Sequence, residues 1–408
     1  MTDPPPRAHR GSAASTLFIA RLVYAFNWYN VGAVLPLIGT ALSASTSQLG
    51  LVLGIYLLGV GLFQIPGGMA ALRWGARTVA IGGLLAMGIF GVLSAFSPNW
   101  QILAAARFAT GAGAAFFFAP GLSLVASYYP HEQRAPIIGL YNGGFSLGGA
   151  IGLFGGALLG AAIGWQWTLG IGGLLLMAVA GFAALVLPLE PRARIVESYA
   201  GLVRAVGRVL RSRSLWAISL ALAGLWASMY IIAQYFVQYG AEVHPEWGIG
   251  LAAAVAAIVV VAAFPGGIAG GWWAKGSRSH RFLLVLFTAT IGVVVAAIPF
   301  VPIYALAALF AYVGFADGIA VSVLYFIPTY MPDTGGEQLV LGIASLNTIQ
   351  VFMGSGLAIA FGYLAEYGGY TLAWLFAGAV TIGFLPLLVY AYLGTSHEDH
   401  LDARRRAA

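Results

Sequence analysis

The sequence predicts an all-α membrane protein built from two sets of six helices, and three observations predict it. Sixty per cent of the 408 residues are hydrophobic and only 8% are charged, with a mean hydropathy of +0.89, values that belong to polytopic membrane proteins and not to large soluble globules. Apolar stretches of roughly 20 residues or more, the length that spans a bilayer, recur twelve times. The longest break between them falls near the middle of the chain.

The stretches run Ser15 to Ala41, Gln48 to Leu72, Thr78 to Phe96, Trp100 to Tyr128, Ala135 to Ile163, Trp167 to Leu187, Leu215 to Tyr239, Gly248 to Gly271, Phe282 to Phe300, Ile303 to Met331, Leu339 to Tyr367 and Thr371 to Tyr392. A Pro-rich, basic segment, MTDPPPRAHRGSAA, precedes the first, which is far longer than the apolar core of a signal peptide; a retained cytoplasmic tail is expected. Turn signals such as SPNW at Ser97 and FVP at Phe300 keep several connections short. The long connection, Pro188 to Ser214, contains EPRARIVESYAGLVRAVGRVLRSRS, which suits either an amphipathic helix on the inner membrane surface or a solvated linker. The expected organisation is a tail over residues 1–14, a six-helix bundle over 15–188, a linker over 189–214, a second bundle over 215–394 and a tail over 395–408.

Charge sets the orientation. Of the 19 Lys and Arg, all but Arg21 and Arg107 fall in the tails or in every second loop, at Arg73 and Arg77, Arg134, Arg192 to Arg213, Lys275 to Arg281 and Arg404 to Arg406. The positive-inside rule places those loops and both termini in the cytoplasm, across an inner or plasma membrane. The net charge of +6 is thus topological, with no basic patch of interleaved aromatics for nucleic acid. Cysteine is absent, which excludes disulfides and thiolate metal sites. All six histidines lie in tails or loops, and the chain has no HExxH and no G-x-S-x-G elbow. No enzyme, cofactor or metal site is expected.

The halves also echo each other. PGG occurs at Pro66 and again at Pro265, each with a tryptophan eight residues on, and GWQWTL at Gly164 has a partial counterpart in GGYTLAW at Gly368. GMAALRWGAR, Gly68 to Arg77, resembles the loop between helices 2 and 3 of the major facilitator superfamily, with Leu72 where that pattern has an acid. RFATGAGAAFFFAPG, Arg107 to Gly121, is similar to its helix 4 motif of an arginine followed by spaced glycines. GGAIGLFGGALLG in helix 5 resembles the antiporter branch's motif, with Leu153 in place of its proline and the spacing one residue off. The resemblance covers essentially the whole chain. It implies two six-helix bundles related by a pseudo-two-fold axis along the membrane normal, helices 1, 4, 7 and 10 around a central cavity, and a solute site near the midplane. It also implies that Arg73 and Arg77 latch the two halves at their cytoplasmic ends, without the usual acid at position 72.

Ionisable groups inside a bilayer are costly and call for a reason. Arg21, Arg107 and Asp317 are three, all on helices expected to line the cavity. Arg21, roughly 10 Å from the inner end of its helix, either reaches for the cytoplasmic surface or contributes to gating with Arg73 and Arg77. Arg107 matches the helix 4 arginine, for which anion binding competes with a structural role. Asp317 has no basic neighbour on its own helix; low dielectric disfavours a charged carboxyl, which makes Asp317 the proton-coupling candidate. Polar and aromatic groups complete the candidate substrate site: Asn27 and Asn30 on helix 1, Tyr141 and Asn142 on helix 5, Trp226, Tyr230 and Gln234 at spacing four on helix 7, and Asn347 on helix 11. For each of them, helix-to-helix hydrogen bonding is the competing account.

The expected function is secondary active transport of a small organic or inorganic anion, monocarboxylate-like, by proton-coupled alternating access. The partners are then the solute, protons and the bilayer, with the chain as a monomer. A proton-driven exporter of lipophilic or multidrug compounds is one alternative, and a non-transporting receptor or scaffold the other.

Overall fold

The computed structural model describes residues 7–129, 131–189, 201, 203, 204, 206, 207, 210–273, 280–326 and 339–388. The expected surface helix in the linker lies for the most part outside the described residues, as do Lys275, Arg278 and the C-terminal tail. The helices are α1 (Arg7–Ala33), α2 (Leu35–Leu42), α3 (Thr46–Trp74), α4 (Ala76–Ala95), α5 (Trp100–Tyr128), α6 (His131–Ile163), α7 (Trp165–Val186), α8 (Arg213–Val243), α9 (Gly248–Trp273), α10 (His280–Ala297), α11 (Ile303–Phe326), α12 (Leu339–Gly368) and α13 (Tyr370–Gly383), with no strand among the described residues.

Each of the twelve apolar stretches carries a helix. The first is bent by 54° between α1 and α2. Pro36 sits in the first turn of α2; it has no N–H to offer the carbonyl four residues back and its ring crowds that carbonyl, so the helix turns there. Nine described segments are long and apolar enough to cross a bilayer, ten with the bent pair. The difference from twelve has two causes. Ala344–Leu388 runs for 45 residues and holds two of the expected stretches, which part at Gly369, where φ is +82°. Leu284–Phe300 is apolar but shorter than a full span.

The repeat seen in the sequence is a repeat of backbone geometry. Gly164 joins α6 to α7 with φ 92° and ψ 158°, and Gly369 joins α12 to α13 with φ 82° and ψ 158°. Only glycine adopts that region without strain, which accounts for the shared glycine in GWQWTL and GGYTLAW.

Within each half, helices meet backbone to backbone. A Cβ added at Gly148 of α6 would overlap the Leu22 carbonyl of α1, and one at Gly111 of α5 the Tyr56 carbonyl of α3. The second half repeats the second contact, with Gly314 of α11 against the Val259 carbonyl of α9. Small residues allow this close approach, which drives association where lipid is as apolar as leucine. The halves then join along α3 with α12, α6 with α9, and α1 with α8.

Gly148→Ala forces α1 and α6 apart, and overpacking of this kind costs roughly 1–3 kcal/mol. A thermal melt of the purified protein in detergent should show a lower midpoint for Gly148→Ala than for Gly139→Ala, whose added Cβ meets nothing within 4 Å. Equal midpoints would refute the close-packing account.

Candidate functional site

The centre of the bundle is aromatic. Tyr24 and Trp28 of α1 lie 5.5 Å apart between ring centroids, and Trp28 meets Tyr56 of α3 edge-on at 5.0 Å and Trp226 of α8 at 6.5 Å. Trp226 stacks on Tyr230 at 5.3 Å, the four-residue spacing on α8 placing them one turn apart. Rings from both halves thus share one cluster, between α1 and α3 on one side and α8 on the other.

Arg107 of α5 enters this cluster from below Tyr56. Its guanidinium carbon is 4.3 Å from the Tyr56 ring centroid, and its Nη2 donates to the Asn27 carbonyl at 3.5 Å. The residue is 3% exposed, and its Nε has no partner. Two side chains of α8 tie the halves together beside it: Tyr230 donates its hydroxyl to the Leu53 carbonyl at 3.4 Å, and Gln234 donates Nε2 to the Trp28 carbonyl at 2.9 Å.

Asp317 of α11 is 4% exposed, with Oδ1 unpartnered. Asn347 and Gln350 are buried and partnered on α12. Among the described residues the ion pair found is His244–Glu246 at 3.0 Å, so the buried cations and the buried carboxyl are not neutralised by direct pairing with one another.

Several expected site residues sit elsewhere. Asn142 is exposed on the outer face of α6 while Tyr141 beside it is buried; consecutive helical residues point about 100° apart, so the two cannot line one pocket. Asn27 donates Nδ2 to the carbonyls of Val23 at 2.9 Å and Gly172 at 2.8 Å, and Asn30 donates to Thr168 at 3.4 Å. Both amides therefore face α7 and pack it against α1. Arg21 does not reach for the membrane surface; it is 5% exposed among four rings.

Arg77 differs from expectation as well. Its Nε donates to the Leu187 carbonyl at 2.9 Å and its Nη2 to that of Ala184 at 2.5 Å. These are the last carbonyls of α7, in the same half, where a cation meets the negative end of the helix dipole. Arg73 is exposed, 6.0 Å from the ring of its neighbour Trp74. The contacts described for both arginines stay within the first half.

A latch across the halves does exist, at the opposite end. The N-terminus of α3 is held by two carboxylates of the second half: Ser47 donates its backbone N–H to Glu366 Oε2 at 2.7 Å, and Thr46 its hydroxyl to Glu242 Oε1 at 3.1 Å. Ser45 caps the same helix, forming a reciprocal box with Gln48. Further in, Ser355 of α12 donates to the Gly54 carbonyl at 2.7 Å; within the second half, Tyr235 of α8 donates to that of Ala358 at 2.6 Å. A Cβ at Gly50 would stand 3.1 Å from the Gly362 Cα, so α3 and α12 touch there. Sequence reasoning missed Tyr56 and Tyr29, Phe145, whose ring meets Tyr24, Trp28 and Tyr29, and Gln64 of α3, whose buried amide has no partner. It also missed this latch, although a carboxylate at a span's end facing a Ser-Thr-Ser helix start was a usable signal.

Residues 17–346 match the Major Facilitator Superfamily. The chain belongs to that superfamily. Superfamily relatives include the 4-hydroxybenzoate transporter PcaK of Pseudomonas aeruginosa, 29% identical over 168 residues that are 41% of this chain and 38% of that protein. The methylenomycin A resistance protein of Bacillus subtilis is 34% identical over 200 residues, 48% of this chain and 41% of its own. The chain thus spans less than half the length of either relative. A solved bacterial homologue of the human lysosomal transporter Spinster, in an inward-facing and occupied conformation, shares the fold with a TM-score of 0.75 at 18% identity, over 96% of this chain and 98% of that one. The superfamily fold and the run of apolar helices make this a multi-pass membrane protein.

The carboxylate latch generates a conformational prediction, and the absence of native cysteine makes it clean to measure. Spin labels at Ala41→Cys on α2 and Leu372→Cys on α13 report the separation of the halves at that end. In Glu242→Gln/Glu366→Gln a longer-distance population should appear, because neutral amides hold a helix N-terminus less well than carboxylates. An unchanged distance distribution would show that the carboxylates do not close that end.

Proposed function

We propose that the chain is a secondary active transporter that moves a small organic anion, monocarboxylate-like, across an inner or plasma membrane by proton-coupled alternating access. It acts as a monomer, with six-helix bundles over residues 15–188 and 215–394, a linker over 189–214 and both termini cytoplasmic. One observation carries the reading: two buried guanidiniums, Arg21 and Arg107, face the central region without a carboxylate paired to them among the described residues. Uncompensated buried charge is costly, and a solute anion offsets that cost when it binds. The relatives named for transport of 4-hydroxybenzoate and of hexuronate, both acids, support the class of solute.

With the arginine-rich loops inside, the end closed by Glu242 and Glu366 is the outer end. The described state therefore has its outer gate shut. Arg107 attracts the anion from the first half, with Trp28, Tyr56, Trp226 and Tyr230 as walls around it. Asp317 takes up the coupled proton from the second half. Protonation removes the one negative charge that would repel the arriving anion, and release of that proton inside restores the repulsion and favours departure. Alternating access follows from rocking one half against the other about this centre.

The aromatic cluster and the methylenomycin resistance relative favour a second reading, export of a lipophilic compound. Proteoliposomes separate the two. Uptake of labelled benzoate driven by an inward proton gradient is expected, with Arg107→Gln raising the half-saturating concentration about tenfold to a hundredfold, since a hydrogen bond to a charged group contributes about 1.5–3 kcal/mol. Dye efflux without anion uptake would overturn the anion reading. Asp317→Asn should keep anion exchange and lose the dependence of uptake on the proton gradient; a retained dependence would remove Asp317 from the coupling role.

A further inference from the structure

Arg21 is held in a way that a structural arginine does not need. Its guanidinium carbon lies 4.7 Å from the ring centroid of Tyr24, 4.9 Å from Phe118, 5.1 Å from Tyr141 and 4.4 Å from Phe145. The four rings come from α1, α5 and α6, and Gly144 lets the helices close on the arginine: a Cβ there would stand 3.1 Å from the Phe18 ring and 3.4 Å from the Arg21 Cβ. Ring faces attract a cation, but they accept no hydrogen bond in the plane of its N–H groups. Nε and Nη1 of Arg21 accordingly have no partner. Beside them the Tyr141 hydroxyl, on a residue 1% exposed, has no partner either. Nitrogen donors and a hydroxyl that can also donate, buried together around one positive charge, form a set that an anionic oxygen acceptor would complete.

The two arginines sit at different depths of one continuous ring cluster, in which Tyr24 and Phe145 both meet Trp28. Arg107 reaches α1 at the Asn27 carbonyl, six residues beyond Arg21, which is about 9 Å along the helix. One carboxylate cannot bridge that distance. Phe118 and Phe145 are only partly buried and provide apolar walls beside the charge, which suits an acid with a flat apolar body better than a bare inorganic oxyanion.

We propose that Arg21, Tyr24 and Tyr141 form a second carboxylate station, on the arginine-rich side of Arg107, for an acid with a flat apolar body. The station rests on the anion reading above and refines it to two successive sites. Division of the binding between them keeps either from holding the solute too long, the condition for passage through any multi-site pathway.

Binding of benzoate and of nitrate to the purified full chain, followed by titration calorimetry in wild type, Arg21→Gln, Tyr141→Phe and Arg107→Gln, tests the proposal. Arg21→Gln and Tyr141→Phe should each weaken benzoate binding about tenfold. Tyr141→Phe removes only an unpartnered hydroxyl, so its ligand-free melting temperature should not fall below that of wild type, which guards against loss by misfolding. Benzoate affinity unchanged in both variants while Arg107→Gln weakens it would overturn the second station and leave the central site standing. No benzoate binding by wild type, or none of the three variants having an effect, would overturn both. Nitrate bound as tightly as benzoate would refute the proposed class of solute.

Discussion

Close approach of one backbone to another is the constraint on which the rest of this molecule depends. Lipid gives helices no hydrophobic reason to associate, so contact distance must supply the attraction. Gly148 against Leu22, Gly111 against Tyr56 and Gly314 against Val259 set the spacing of α1 with α6, α3 with α5 and α9 with α11. Those distances in turn decide which side chains reach the centre. Arg107 comes to lie under Tyr56 because Gly111, one turn further along α5, brings its helix onto the backbone of that residue.

The second organising condition is the lack of water in the hydrocarbon core. Several interior hydroxyls meet it locally, as Thr16, Ser94, Thr110 and Ser219 do by donating to the carbonyl four residues earlier. Asn27 and Asn30 meet it by crossing to α7. Arg21, Arg107 and Asp317 keep unpartnered polar atoms. Unpartnered atoms alone do not single these three out, since Asn30 Oδ1, Gln234 Oε1 and the Gln64 amide share that state; what sets the three apart is an ionisable group left so in an apolar bundle. Arg77 shows that a conspicuous charge can be engaged by a helix end.

Much of the fold was legible in the sequence, because span length and loop charge are properties of segments and do not depend on which helix neighbours which. The glycine echo at Gly164 and Gly369 was legible for a similar reason, as a local backbone requirement. The site was legible only in part. Arg21, Arg107 and Asp317 stood out because any charge in an apolar run does. Asn142 misled because helical facing depends on a neighbour's position, and Tyr141 had already taken the inward direction. Tyr56 stayed hidden, since nothing in its own run of α3 indicates that a cation arrives from α5. The pair Glu242 and Glu366 stayed hidden for a different reason: their role exists only once α3 of the other half is brought to them.

The way α8 grips the first half has a consequence for how such a protein can change over generations. Gln234 and Tyr230 attach to the carbonyls of Trp28 and Leu53, and Ser355 of α12 likewise ends on the Gly54 carbonyl. Every amino acid presents that same carbonyl. The hydrogen bond itself therefore survives a change of side chain at an accepting position, and what limits drift there is packing: Trp28 meets Trp226, and a Cβ at Gly54 would run into Ile359.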